Sequence, residues 1–194
     1  IFSSGRQISF SEKHDREFSE HSRVGSASPG GPERMKEKRD IVENWLPRYT
    51  GTPLKEFGAY VLLTNFDNYV EWFASQQGAV IKGIDRPMPN VTSDGITLIN
   101  FGMGSPNAAT VMDLLSAIAP RAVLFLGKCG GLKRKNQIGD LILPIAAIRG
   151  EGTSNDYLPP EVPALPAFEL QRAVSTMIRD LGFTLAMHGD EDAV

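Results

Sequence analysis

The stretch ITLINFGMGSPNAATVMDLLSAIAPRAVLFLGKCGGL, residues 96–132, runs an apolar segment into Gly-Met-Gly, continues as a helix-like segment, and runs a second apolar segment into Gly-Lys-Cys-Gly-Gly. Residues 96–101 and 122–127 are short and continuously apolar, the pattern of strands buried on both faces. Residues 105–119 between them have helical character, and Ser105 and Pro106 suit the N-cap and first helical positions. In such a β–loop–α–β unit the two strands run the same way, so their C-terminal ends open on one edge of the sheet. Gly102 and Gly104 follow the first strand; Gly127, Gly130 and Gly131 follow the second. Glycine permits positive φ and lets a ligand approach the backbone. The helix start favours an anion or a polarised hydroxyl, and Lys128 adds a cation. The unit predicts one small-ligand pocket shared by two loops, although two such turns also serve simply to reverse the chain. Gly-Met-Gly lacks the third glycine of the dinucleotide fingerprint, and no phosphate-binding P-loop is present.

Outward from this unit the alternation continues. AYVLLTNF (59–66) has the pattern of another buried strand. DNYVEWFASQQG (67–78) places Tyr69, Trp72 and Phe73 at helical spacing and stops at Gly78. DLILPIAAIR (140–149) predicts a strand bent at Pro144, and FELQRAVSTMIRDLG (168–182) an amphipathic helix ended by Gly182. Strands alternating with helices imply an α/β domain with a parallel or mostly parallel sheet covered on both faces. Residues 1–34, with few aliphatics and the segment GSASPGGPE (25–33), are expected to form a disordered or foreign tail, or else a regulatory or targeting arm. Met35 opens a charged helical start and is a candidate natural initiator, giving a domain over 35–194.

With 194 residues, 41% apolar and 22% charged, the chain has the composition of one soluble globular domain. A net charge of −3 exerts no general pull on nucleic acid or anionic membranes. No run approaches the roughly 20 apolar residues that span a bilayer, and the first residues lack a signal peptide's apolar core. The single cysteine, Cys129, cannot form an internal disulfide, which fits a reducing cytosol. It is expected to be a small buried residue rather than a nucleophile. His14, His21 and His188 share no metal-ligand spacing with it.

FGMGSPNAATVMDLL (101–115), FLGKCGGLKRKNQIGDLILP (125–144), IRGEGTSNDY (148–157) and PPEVPALP (159–166) together resemble the nucleoside phosphorylase superfamily over about residues 40–182. The resemblance implies a three-layer α/β/α fold with a central mixed sheet. RYTGTP (48–53) and the lysine of GKCGGLK (127–133) are more similar to the AMP nucleosidase branch than to the phosphorylases. That branch hydrolyses AMP to adenine and ribose 5-phosphate. No cofactor is implied, and the partners are AMP or a related purine nucleotide or nucleoside and further copies of the chain, hexamers being common in the family. The resemblance places Gly102, Met103 and Gly104 along the ribose and Asn65 in the first loop, near phosphate. It sets Lys128 where phosphorylases have a phosphate-binding serine, beside Gly130, and sets Phe125 where the hexameric phosphorylases have an arginine. Arg149 and Glu151 border the base, with Ser154, Asp156 and Tyr157 as polar neighbours, and Arg48 is a candidate for a nucleotide phosphate.

Several of these residues also admit plainer roles. Met103 fits as packing, residues 128–135 as a solvated charged loop, and RYTGTP as a pin for the entry to the first strand. Breaking a purine N-glycosidic bond builds positive charge on ribose and negative charge on the base, so an acid must meet the base. The family's acid and its ribose-binding glutamate lie beyond the last matched helix. Asp190, Glu191 and Asp192 resemble neither. The expectation is therefore a fold cut or altered after about residue 182, with an incomplete, inactive nucleotide-binding module and a phosphate-dependent phosphorylase as the alternatives to a hydrolase.

Overall fold

The computed structural model describes residues 32–134, 136–183 and 185–186. Contacts group the chain into Ile1–Lys36 and Glu37–Val194. The second unit contains every element discussed below except the first residues of α1. In chain order the elements are α1 (Pro32–Thr50), β1 (Tyr60–Thr64), α2 (Asp67–Gln77), β2 (Asn90–Ser93), β3 (Ile96–Asn100), α3 (Ser105–Leu115), β4 (Ala122–Leu126), β5 (Leu141–Ile142), α4 (Phe168–Asp180) and β6 (Leu185–Ala186).

The main sheet has the order β2-β3-β1-β4. Central β1 pairs in parallel with β3, from Tyr60↔Ile96 to Thr64↔Asn100, and with β4, from Tyr60↔Ala122 to Thr64↔Leu126. Alternation along the strands then divides the apolar side chains between two faces. Val61, Leu63 and Ile99 pack with Leu46 of α1 and Val111, Leu114 and Leu115 of α3. Leu98 and Val91 pack with Val70 and Ala74 of α2 on the other face. The expected three layers are present. Antiparallel β2 makes the sheet mixed. Among the described residues, no helix is long and apolar enough to cross a membrane.

RYTGTP is held by a buried polar node. The Asn90 amide donates to the Thr50 carbonyl (2.7 Å) and the Met88 carbonyl (3.1 Å), and its Oδ1 accepts from the Thr52 hydroxyl (2.8 Å). Thr50, Thr52 and Asn90 are all buried. Because water cannot replace these bonds, Asn90→Ala strands three polar groups and is expected to destabilise the domain by about 2 kcal/mol. That loss would lower the thermal midpoint by roughly 4–8 °C. A variant within half a kcal/mol of the parent in a denaturant titration would refute the node.

The structure departs from the sequence reading in five places. α3 ends at Leu115 rather than Ala119, and its N-cap is Gly104, so Ser105 lies inside the helix and caps nothing. The strand expected over 140–149 shrinks to β5, paired in parallel with β6, while Ala147 meets Ala164 in an isolated bridge. An apolar run becomes a strand only where a partner offers its ladder, and Pro144 has no N–H to give. β4 is half-buried, not buried on both faces, because among the described residues no strand covers its outer edge. Cys129 is exposed, not buried, because it lies in the exposed loop that follows β4. Finally, Gly127, Gly130 and Gly131 do not have positive φ, whereas Gly102 (80°) and Gly104 (96°) do. A Cβ on Gly127 would come within 2.6 Å of the Phe125 ring, so glycine there supplies space rather than backbone freedom.

Candidate active site

In-register pairing of Thr64 with both Asn100 and Leu126 puts the C-terminal ends of β1, β3 and β4 side by side on one edge. β1 delivers Asn65, whose Oδ1 is buried with no hydrogen-bond partner. Such an acceptor is unfavourable until a donor reaches it, so its placement at a strand end marks a position for a ligand hydroxyl, an amine or water.

β3 delivers the Gly-Met-Gly loop. The buried Asn100 side chain accepts from the Gly102 N–H (2.9 Å), and its amide donates to the Asp67 carboxylate at the start of α2 (2.6 Å). Met103 is 76% exposed, so its thioether is available to a ligand and does not serve as core packing.

β4 delivers Phe125 and Lys128. Phe125 is 56% exposed and meets Phe101 edge-on, with centroids 5.8 Å apart. The Lys128 ammonium sits 4.2 Å from the Phe66 ring centroid and 5.2 Å from that of Tyr69. The cation from the β4 loop is therefore seated on the β1–α2 turn, beside Asn65. Gly130 has open space where a Cβ would point.

Arg149 commits all five of its donors within its own loop. Nε bonds the Ser154 hydroxyl, Nη1 the Pro159 and Val162 carbonyls, and Nη2 the Asn155 Oδ1 and the Leu158 carbonyl, at 2.6–2.9 Å. Glu151 accepts from the Gly152 and Thr153 amides and the Thr153 hydroxyl. The Ser105 hydroxyl, followed by the Thr153 hydroxyl and amide, holds the Glu151 carboxyl below its ordinary value. Tyr157 donates to Asp113 of α3 (3.0 Å), and burial, then that carboxylate, pushes its phenol up. These two contacts fasten the 149–162 loop to α3, one at the helix's first residue beside the Gly-Met-Gly turn and the other near its C-terminal end.

The two latches respond to pH in opposite directions. A depressed carboxyl contributes stability that is present above its ordinary value and is lost as pH falls through the folded one. A raised phenol contributes stability that is present below the ordinary tyrosine value of about 10 and is lost as pH climbs past it. The protection of the Gly152 and Thr153 amides, measured relative to their intrinsic exchange rate at each pH, is therefore expected to fall on acidification, and Tyr157→Phe is expected to leave that acid response intact. Acid-independent protection at these amides would refute the Glu151 latch.

Of the residues singled out from the sequence, Asn65, Gly102, Met103, Gly104, Lys128 and Gly130 converge on one sheet edge, and Glu151 reaches it through Ser105. Arg48 lies on α1 with its guanidinium over the Trp45 ring (5.6 Å). His14, His21, His188, Lys135, Asp190, Glu191 and Asp192 lie outside the described residues. The sequence reading missed Asp67, Asn100 and the Phe66–Tyr69 seat. The visible signal for Asn100 was a polar residue closing an apolar strand.

Residues 51–188 match the model of the Phosphorylase superfamily, and the chain belongs to that superfamily. Among its members, AMP nucleosidase of Escherichia coli K12 is 32% identical over 166 residues, covering 66% of this chain and 34% of that protein. Guanosine phosphorylase of Halorubrum lacusprofundi is 34% identical over 82 residues, covering 41% and 34%. The crystal structure of AMP nucleosidase from Bacteroides thetaiotaomicron superposes with a TM-score of 0.74 at 61% identity, covering 76% of this chain and 65% of that one. Uridine phosphorylase from Vibrio fischeri, at TM-score 0.61 and 22% identity over 68% of this chain and 57% of that one, shares the fold. The chain spans about a third of the length of the curated relatives it matches.

Proposed function

We propose that this domain is an AMP nucleosidase-like N-glycosidase that takes AMP to adenine and ribose 5-phosphate with water, a purine-salvage reaction. The observation that carries the reading is the end of β4, where an exposed Phe125 ring stands two residues before the glycine loop that bears Lys128. Phosphorolysis needs an inorganic phosphate dianion held as nucleophile, and an apolar ring cannot balance that charge. Water needs no such cation, which leaves Lys128 for the substrate's own 5′-phosphate. The 61% identity to the Bacteroides thetaiotaomicron AMP nucleosidase points the same way.

In this reading the Gly102–Met103–Gly104 loop lies along the ribose, Asn65 Oδ1 accepts from a sugar hydroxyl or the attacking water, and Gly130 leaves room beside Lys128. Glu151 stands at the base side, while Arg149 shapes that side by holding its loop together. Arg48 contributes to phosphate binding only if α1 approaches the site, as in a homo-oligomer. No described residue is assigned as the acid that meets the leaving base. The deciding assay is adenine release from AMP by the purified chain without added phosphate. Adenine appearing with ribose 5-phosphate supports the hydrolase. Strict dependence on inorganic phosphate would replace it with a phosphorylase, and AMP binding without turnover would leave a binding module.

A further inference from the structure

We infer that Asp67 and Asn100 form a positioning pair that sets the Gly102–Met103–Gly104 loop in its ligand-receiving conformation; the consequence for nucleotide binding rests on the function proposed above. A carboxylate only accepts hydrogen bonds, whereas a primary amide both donates and accepts. Asp67 therefore fixes the Asn100 side chain with Nδ2 toward itself, at 2.6 Å. Only one end of the amide then remains, the Oδ1, and it receives the Gly102 N–H at 2.9 Å. Removing the carboxylate's constraint lets the amide turn over and present two donors to a backbone N–H that needs an acceptor.

The anchor matters because the two glycines leave the loop several accessible conformations, and the hydrogen bond to Asn100 selects one of them. Gly102 has φ 80°, and Gly104 has φ 96° and ψ 155°. The second conformation is nearly exclusive to glycine, for which it is one of several accessible conformations. Asn100 is buried, so water does not substitute for its bonds. Asp67 sits in the first turn of α2. The pair ties the end of β3 to the start of the helix that follows β1, on the sheet edge where β1 delivers Asn65. Neither residue is a catalytic residue in this account, since both act through the loop.

The test uses the whole chain and three variants: Asp67→Asn, Asn100→Asp, and the reciprocal double exchange. Asp67→Asn alters an exposed side chain and is expected to fold. It should accelerate exchange of the Gly102 amide about tenfold, the scale of one charge-assisted hydrogen bond, with the global unfolding midpoint little changed. Asn100→Asp sets two carboxylates against each other and should be worse. The double exchange puts a carboxylate where it can accept both the Gly102 N–H and the new amide at position 67, and should restore protection. A purely structural role predicts no such rescue. Unchanged Gly102 exchange in Asp67→Asn, or no recovery in the double exchange, would overturn the pairing. AMP titrations separate the two readings. A parent chain that fails to bind AMP overturns the proposed function while exchange still decides the pairing. An Asp67→Asn variant that binds AMP as tightly as a binding-competent parent overturns the positioning role.

Discussion

Substituting alanine for Gly58 is expected to destabilise the domain by about 3 kcal/mol or more, a fall of roughly 6–12 °C in thermal midpoint. Gly58 precedes β1, and its N–H donates to the Thr97 hydroxyl of β3 at 2.8 Å. A Cβ there would overlap the Gly95 carbonyl group and stand 2.7 Å from the Ile96 nitrogen. All of these atoms are backbone, and they cannot retreat. Gly95 (φ 76°) and Asp94 (φ 49°) form the two-residue turn that fixes the register of β2 on β3. The Gly95 carbonyl also accepts the Tyr60 N–H (3.2 Å), so moving it disturbs two strand pairings at once. Gly78→Ala is the control. That glycine has φ 59° with nothing near its missing Cβ, so alanine there bears only the left-handed strain of about 1 kcal/mol. Equal losses from the two substitutions in urea titrations would show that the close approach at Gly58 is not tight.

That hairpin also shows what the sequence made legible and what was overlooked. Asp94-Gly95 between NVTS and ITLIN is a strong two-residue turn signal, and it went unread because the preceding segment is too polar to suggest a strand. The buried strands over 59–66 and 96–101, the Gly78 helix end and the positive φ of Gly102 and Gly104 were all readable, because each depends on local pattern and backbone sterics. The extent of β5, the exposure of β4 and the fate of Arg149 were not. Each depends on which partner lies across space: a strand for β5 and β4, and the carbonyls of Leu158, Pro159 and Val162 for the guanidinium. The sequence reading set Arg149 beside the base. Its actual hydrogen bonds make it a clamp on its own loop. The convergence of the Gly-Met-Gly and Gly-Lys-Cys-Gly-Gly loops was foreseeable from parallel strands, but the buried, unpartnered Asn65 Oδ1 between them was not, since burial of a single atom leaves no trace in periodicity.

The Lys128→Met variant is expected to bind AMP roughly 10- to 100-fold more weakly while binding adenosine nearly as well as the parent, measured side by side by calorimetry. A 5′-phosphate carries close to two negative charges at neutral pH, and adenosine carries none, so the difference isolates the charge contact. Methionine keeps an apolar, flexible side chain against Phe66 and Tyr69, so loss of packing is not the variable under test. The two rings hold the lysine at 4.2 and 5.2 Å, an attraction of about 0.5–1 kcal/mol at an exposed site. A phosphate contact of 1.5–3 kcal/mol exceeds it, so the ammonium can leave its seat when the nucleotide arrives. Screening supplies an independent readout: raising the salt concentration should weaken AMP binding by the parent and affect the variant far less. AMP affinity unchanged by Lys128→Met would place the phosphate elsewhere and make Arg48 the next cation to remove. If nucleoside cleavage by the parent instead depends on inorganic phosphate and Lys128→Met abolishes that cleavage, the lysine serves the nucleophile, and the domain works as a phosphorylase despite Phe125.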